Sequence, residues 1–390
     1  MWCAKRVFSW GIRKFGLLLG LGFYLFILES LQAQQYRFRN YTGDDGLSQL
    51  VAQTIFQDRQ GYIWIGTQAG LNCFDGEEFE VFSVRHGLRN DWINVVAQDS
   101  TGRIWVGTND GLSSWRHGGF HNYATADGLP GNKVLALVVD EKNRLWCGTN
   151  RGLARWDGQR FLVFSSEESG LPSTAVRTLL LRKDGTLLVG TDVGLFEYAN
   201  NKFTRRLSLK DAVVGLAVDK KERLWVATRG AVYVYSGRRL VRRLTSKSGL
   251  SPGMVNTVAY SSDGAVWVGT SQGLTMIREG RVQRVSRANG LHLYDVRAVV
   301  ADREGIIWVG GVGGVSKFLG RAFTNYTTAD GLGSNSVRPI LRGHDGYLWV
   351  GTMGGLSRYD GKSWKNYTQA DGLSDPQIWS LYEDRAGKLW

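Results

Sequence analysis

Proline, cysteine and histidine are scarce: the 390 residues include 5 prolines, 3 cysteines and 5 histidines. Cys3 lies in a basic, apolar leader, so only Cys73 and Cys147 remain for the body of the chain, too few for a disulfide framework. Both are expected as free, buried thiols filling small apolar positions. The histidines form no ligand set: His117 and His121 flank a single Gly118-Gly119 turn without a third ligand nearby. No metal and no cofactor is therefore expected. A Gly-x-Ser-x-Gly elbow and a strand–helix dinucleotide fingerprint are both missing, and Gly310-Gly-Val-Gly-Gly314 runs into Val315-Ser-Lys-Phe318, which reads as a strand. No catalytic residue is assigned.

The N-terminus reads as an export signal over residues 1–33. Lys5, Arg6, Arg13 and Lys14 precede or open an uncharged run of 14 residues, Phe15 to Leu28, and cleavage is expected after Ala33. A spanning helix needs about 20 residues, so an uncleaved anchor is the weaker reading. The formal charge is +13, of which the leader holds +3, and the remaining positive field favours anionic partners. The arginine doublets at 205–206, 238–239 and 242–243 lie apart in sequence and read as a solvated basic surface. No nucleic-acid face is expected, because that needs a clustered patch.

Helical periodicity is absent as well. What the chain has instead is 51 glycines, 15 tryptophans and a phrase that recurs, as in Gly102-Arg-Ile-Trp-Val-Gly-Thr108 followed by Gly111-Leu112. Its tryptophan or a stand-in falls at Trp64, Trp105, Trp146, Leu188, Trp225, Trp267, Trp308, Trp349 and Trp390, with spacings of 41, 41, 42, 37, 42, 41, 41 and 41. Within Phe120 to Asp157 the pattern gives short alternating strands separated by Asp127-Gly128-Leu129, Asn150-Arg151-Gly152 and Asp157-Gly158 turns. Four short strands in about 40–45 residues is the mark of a propeller blade, so the fold class is all-β, a β-propeller of four-stranded blades. Strand alternation puts Trp146 and Gly148 on one face, the tryptophan as a plate and the glycine as room for the neighbouring blade. The aspartate six places before most tryptophans (Asp58, Asp99, Asp140, Asp219, Asp302, Asp384) is expected to end the inner strand and accept turn amides. The fifth unit is shorter, with Ala227 in the glycine position and Lys210-Asp211-Ala212 as a trimmed connection.

The first segment after the leader, Tyr36–Tyr41, matches the outer-strand pattern of Phe120–Tyr123 and Phe323–Tyr326. Such a segment closes a ring by completing its last blade and removes the open edges. Residues 34–320 are therefore expected to form a first propeller of seven blades, and 321–390 the truncated start of a second. One eight-bladed ring plus a continuation is the alternative. The sequence stops at Trp390 within a strand pattern, which reads as a fragment of a longer protein.

The phrase Asp345-Gly-Tyr-Leu-Trp-Val-Gly-Thr-Met-Gly-Gly-Leu-Ser-Arg-Tyr-Asp-Gly361, with Asp330-Gly331-Leu332 before it, resembles the repeat of two component regulator propellers. The resemblance covers about residues 36 to 390. It implies tandem propellers on the outer side of the inner membrane, reaching an output module through a downstream spanning helix that this sequence lacks. That module is most often a histidine kinase and less often a diguanylate cyclase. The implied role is the exported, periplasmic ligand-sensing region of a signalling receptor that works as a homodimer. A stand-alone exported binding propeller and a propeller lyase or glycosidase are the alternatives.

By strand counting, the turn after Gly-Thr and the long loop around Gly-Leu share one face of the ring. The turn tips vary and are polar, as a recognition surface requires. The candidate ligand-binding residues are Trp92, Asn109, Asp110, Asn150, Arg151, Asp192, Arg229 and Gln272, with Trp92 as the loop aromatic for stacking a sugar. The expected ligand is a saccharide, including an anionic glycan, or another small polar molecule.

Overall fold

The computed structural model of the chain describes residues 36–390 apart from 117, 165–168, 173, 322–325, 362 and 385. The leader 1–33, His117 and residues 323–325 lie outside the described residues. The chain divides into two compact units, Met1–Ala322 and Phe323–Trp390. The described residues form eight four-stranded antiparallel sheets, and none of their helices is long and apolar enough to cross a membrane.

Blade 1 runs outward through Thr54–Gln57, Ile63–Gly66, Leu71–Phe74 and Phe79–Phe82. Blades 2 to 6 repeat this meander from inner strands Ile93–Gln98, Val134–Val139, Val176–Leu181, Val213–Val218 and Val255–Tyr260. Blade 7 takes three strands from Val296–Ala301, Ile307–Gly311 and Gly314–Arg321, and its outermost strand is Tyr36–Tyr41. That strand pairs antiparallel with Gly314–Arg321, so that Tyr41 faces Val315 and Asn40 faces Ser316. The inner strands of blades 1 to 7 pack in series, and that of blade 7 packs against that of blade 1. The join is also hydrogen-bonded, Ala52 N–H donating to Gly311 O at 3.1 Å. Blade 8, Val337–Arg342 to Trp364–Tyr367, lies in the second unit.

Blades hold together through their second strands. Trp105 packs with Leu145, Cys147 and Phe161 of the next blade, Trp146 lies edge-on to Tyr198 at 4.9 Å, and Trp308 stacks on Tyr41 at 5.8 Å and meets Phe74 of blade 1. Burying such a side chain contributes about 2–3 kcal/mol. The paired glycine admits the next inner strand. A Cβ on Gly107 would lie 2.5 Å from Val134 Cγ1, on Gly148 2.6 Å from Val176 Cγ1, and on Gly310 3.1 Å from Ala52 Cβ. Blade 5 solves the problem in reverse. Ala227 stands in the glycine position, and Gly215 lies directly opposite on the inner strand, where blades 1, 4 and 6 have threonine. Blade 4 carries Leu188, buried with Leu195, Val213 and Leu224.

The aspartates do more than end strands. In blade 1, Asp58 Oδ1 accepts the amides of Gln60, Gly61 and Tyr62, while Oδ2 accepts the indole N–H of Trp64 at 2.8 Å. The indole bond recurs for Asp99, Asp140, Asp219, Asp302 and Asp384 at 2.8–3.0 Å. Blade 6 substitutes Ser261, whose hydroxyl accepts from Trp267 at 3.2 Å. Blade 4, with no indole to satisfy, has Arg182 there. Burial opposes the charge of Asp99, Asp140 and Asp219, but bonds from the indole, turn amides and Thr101 or the following arginine outweigh it. All three carboxyls titrate below the ordinary range.

Both cysteines are free. Cys147 is buried, and burial pushes its thiol well up. Cys73 departs from the buried expectation: it is half-buried, and burial followed by Asp58, Glu80 and Asp75 raises its thiol to about 12.

Candidate functional site

The connection into each inner strand is a built loop. After the outer strand come an extended residue, one 3-10 turn, a left-handed glycine and a buried leucine, as in Thr42, Gly43–Asp45, Gly46 (φ 99°) and Leu47. Asp45 Oδ2 accepts from Thr42 N–H at 2.8 Å, which closes the turn. Gly290 needs its left-handed conformation and its lack of a side chain together, since a Cβ would lie 2.6 Å from Tyr36 O. The trimmed connection before blade 5 lacks the 3-10 turn, and Leu209 packs there beside Leu207 against the blade 5 cluster.

The Gly-Thr turns are rigid from within. Thr108 Oγ1 donates to Gly111 O at 2.8 Å and accepts from Asp110 N–H at 3.1 Å. Thr149, Thr191 and Thr270 do the same around Arg151, Val193 and Gln272. Loop and turn are then stitched by backbone bonds: Gly70 N–H to Asp91 O, Ile93 N–H to Thr67 O, and Asn109 N–H to Trp92 O, at 2.8, 2.9 and 3.1 Å. Each long loop thus lies between the turns of the two blades it connects. Loops and turns share one face of the ring, with polar tips fixed from below.

The structure brings some sequence candidates together. Trp92, 39% exposed, Asn109 and Asp110 sit at one blade boundary. Asp110 forms an ion pair with Arg89 at 3.4 Å and accepts from Asn132 Nδ2 at 3.0 Å. Asp192 pairs with Arg177. Asn150 and Arg151 share one exposed turn, Arg229 and Gln272 are exposed on two others, and Arg229 Nη1 reaches Met254 Sδ at 3.9 Å.

Two groups were missed. Trp92 is not alone as a loop aromatic: Tyr294, in Leu291-His-Leu-Tyr294, is 52% exposed, with the Arg287 guanidinium 5.7 Å from its ring centre. The second residue of the inner strand is the other omission. Asn94 Nδ2 donates across to Val134 O of the next blade at 2.9 Å and to Asn109 Oδ1 at 3.1 Å. Asn256 does the same with Val296 O at 3.0 Å and Asp295 Oδ1 at 2.9 Å, and Asp295 also pairs with Arg297 at 2.8 Å. Gln53 and Arg177 hold the equivalent place in blades 1 and 4. A polar residue recurring at position two of an apolar run, as in Ile93-Asn-Val-Val and Val255-Asn-Thr-Val, was the available signal.

The arginine doublets are not scattered. Arg205-Arg206 lies on Lys202–Leu207, the outer strand of blade 4, and Arg239, Arg242 and Arg243 on Arg239–Leu244, the outer strand of blade 5. Arg206 Nη2 donates to Gly237 O at 3.0 Å and links the two edges. Folding collects residues about one repeat apart onto adjoining blades.

Four segments, 46–69, 87–110, 128–151 and 331–354, match the family described as two component regulator propeller. Each spans a loop, an inner strand, a second strand and a Gly-Thr turn. The chain is a β-propeller, and these four segments are similar to that family's repeat. Two similar solved structures are extracellular domains from B. thetaiotaomicron. One is described as from the hybrid two component system BT3049 (TM-score 0.64, 21% identity, 91% of this chain and 52% of that chain). The other is described as from the one component system BT4673 (TM-score 0.62, 22% identity, 92% and 51%). The chain spans about half the length of those domains. A streptogramin B lyase shares the fold at TM-score 0.60 and 12% identity, over 73% of this chain and 98% of the lyase. Over 59 residues the chain is 44% identical to Histidine kinase P4 of Formosa agariphila, 15% of this chain and 4% of that protein.

Proposed function

We propose that this chain is the extracytoplasmic sensing region of a two component receptor. In the intact protein, a downstream helix in the inner membrane would connect it to a histidine kinase, and two copies would pair. Binding on the loop face would favour one arrangement of the paired chains. The observation that carries the reading is the combination of family repeats with variable polar tips on a self-braced turn framework. The ligand is a saccharide or another polar, anionic molecule held by Asn109, Arg151 and Arg229, with Trp92 as the stacking surface.

Titration calorimetry of the chain with neutral and uronate oligosaccharides tests the placement. At least one is expected to bind saturably, and Asn109→Ala, Arg151→Ala and Arg229→Ala together to weaken it about tenfold, the loss of one or two polar contacts. Unchanged affinity in the triple variant rejects this face. Turnover of a polysaccharide by the purified chain would favour the lyase or glycosidase reading instead.

A further inference from the structure

We propose that the groove between blades 1 and 2, on the side opposite the Gly-Thr turns, binds an organic cation: an ammonium or guanidinium group on an apolar body. The groove encloses roughly 480 Å³, and its lining includes Tyr62, Trp64, Phe82, Trp115, Glu78 and Glu80. That volume lies in the range of small-molecule sites, about 300–1,000 Å³. In a chain of net charge +13 the lining includes four carboxylates and no lysine or arginine. Among the described residues, neither Glu78 nor Glu80 pairs with a cation.

Each tryptophan faces one residue of the third strand. Three other blades place a cation there, while blades 2, 5 and 6 carry Ser114, Val234 and Met276. In blade 3 this is Arg155, whose guanidinium lies 5.2 Å from the Trp146 ring centre and 5.6 Å from that of Phe164, the ring stacked on Trp146. In blade 7 it is Lys317, 5.1 Å from Trp308. In blade 8 it is Arg358, 5.7 Å from Trp349. Blade 1 keeps the stacked aromatic pair, Trp64 and Phe82 at 6.0 Å, but the facing residue is Cys73, with Glu80 next in the row. Blade 1 therefore has the aromatic bed, added negative charge and no internal cation. A cation from outside satisfies both. This site is separate from the loop face and does not depend on the sensing role.

The test is equilibrium binding of benzylamine to the chain, with benzyl alcohol as its neutral counterpart and benzoate as its anionic one. Benzylamine is expected to saturate one site with Kd at or below about 1 mM, and to bind at least about tenfold more tightly than either control. Glu78→Gln with Glu80→Gln, both on the blade edge, is expected to weaken it about tenfold. Cys73→Arg, which installs the residue type blades 3 and 8 use, is expected to abolish it. The circular dichroism of each variant is expected to match the parent. No saturable benzylamine binding, equal binding of benzyl alcohol, or full affinity in the glutamine double variant overturns the proposal, and the glutamine variant decides the matter should the arginine variant fail to fold.

Discussion

The two ends of the same strands behave differently. At one end, aspartate, turn amides and tryptophan recur in most blades; the aspartate is missing where Leu188 replaces the tryptophan, and Trp267 and Trp349 are kept with Ser261 and Gly343 in its place. At the other end the Gly-Thr framework recurs, but the tips read Gln68-Ala69, Asn109-Asp110, Asn150-Arg151 and Ser271-Gln272. The difference follows from where the polar groups find partners. The aspartate is buried, and its bonds are required because an unmet buried donor or acceptor is costly. The turn is braced by a threonine that uses its own hydroxyl and backbone groups, so these bonds place no demand on the side chains at the tip.

The hardest way to break the contrast is at the blade interface. Trp146→Ala removes a side chain 1% exposed, empties the contact with Phe164 and Tyr198 and leaves Asp140 short of a donor. A loss of about 3–5 kcal/mol is expected, read as a shift in the urea midpoint. Gly107→Ala comes next. Its Cβ would meet Val134 Cγ1 at 2.5 Å and Val95 Cγ1 at 2.6 Å, so overpacking is expected to cost about 1–3 kcal/mol by the same measurement.

These two positions were legible because repetition exposes them: nine copies of one phrase separate framework from decoration in a single chain. Other features needed coordinates. The aspartate six residues before the tryptophan was visible, but its second oxygen on the indole was not, since a turn cap explains the spacing equally well. The exchange of Gly215 and Ala227 depends on strand register, which a bulge between Val213 and Gly215 shifts. The arginines at 205–206 and 242–243 are far apart along the chain and meet only because outer strands of successive blades lie side by side. The inner-strand polar position recurs as Gln53, Asn94, Arg177, Asn256, Arg297 and Arg338, but Leu135 and Val214 interrupt it and apolar neighbours make the run read as core.

A smaller effect sharpens the contrast through pH. The carboxyls of Asp99, Asp140 and Asp219 titrate lower in the folded chain than in the unfolded one, where an aspartate has a pKa of about 3.9. Their stabilisation is complete above that unfolded value and is lost as pH falls through the folded one. Asp99→Asn is therefore expected to cost about 1–2 kcal/mol near neutral pH. Its deficit against the parent should shrink as the pH is taken down through the folded pKa. A deficit independent of pH would mean that the carboxylate charge contributes nothing at this end.

The smallest expected effect is at the tips. Gln272 and Asn150 are exposed, and the threonine bonds beneath them run to backbone groups, so removing either side chain leaves the turn intact. Gln272→Ala and Asn150→Ala are expected to move the urea midpoint by no more than about 0.5 kcal/mol equivalent. A cost approaching that of Gly107→Ala would show that the tips belong to the framework. Their variation would then reflect blade-by-blade packing, and the loop face would lose its claim as a recognition surface. A null effect on stability leaves these side chains free to be chosen for what they touch outside the protein, which is the condition a recognition surface must meet.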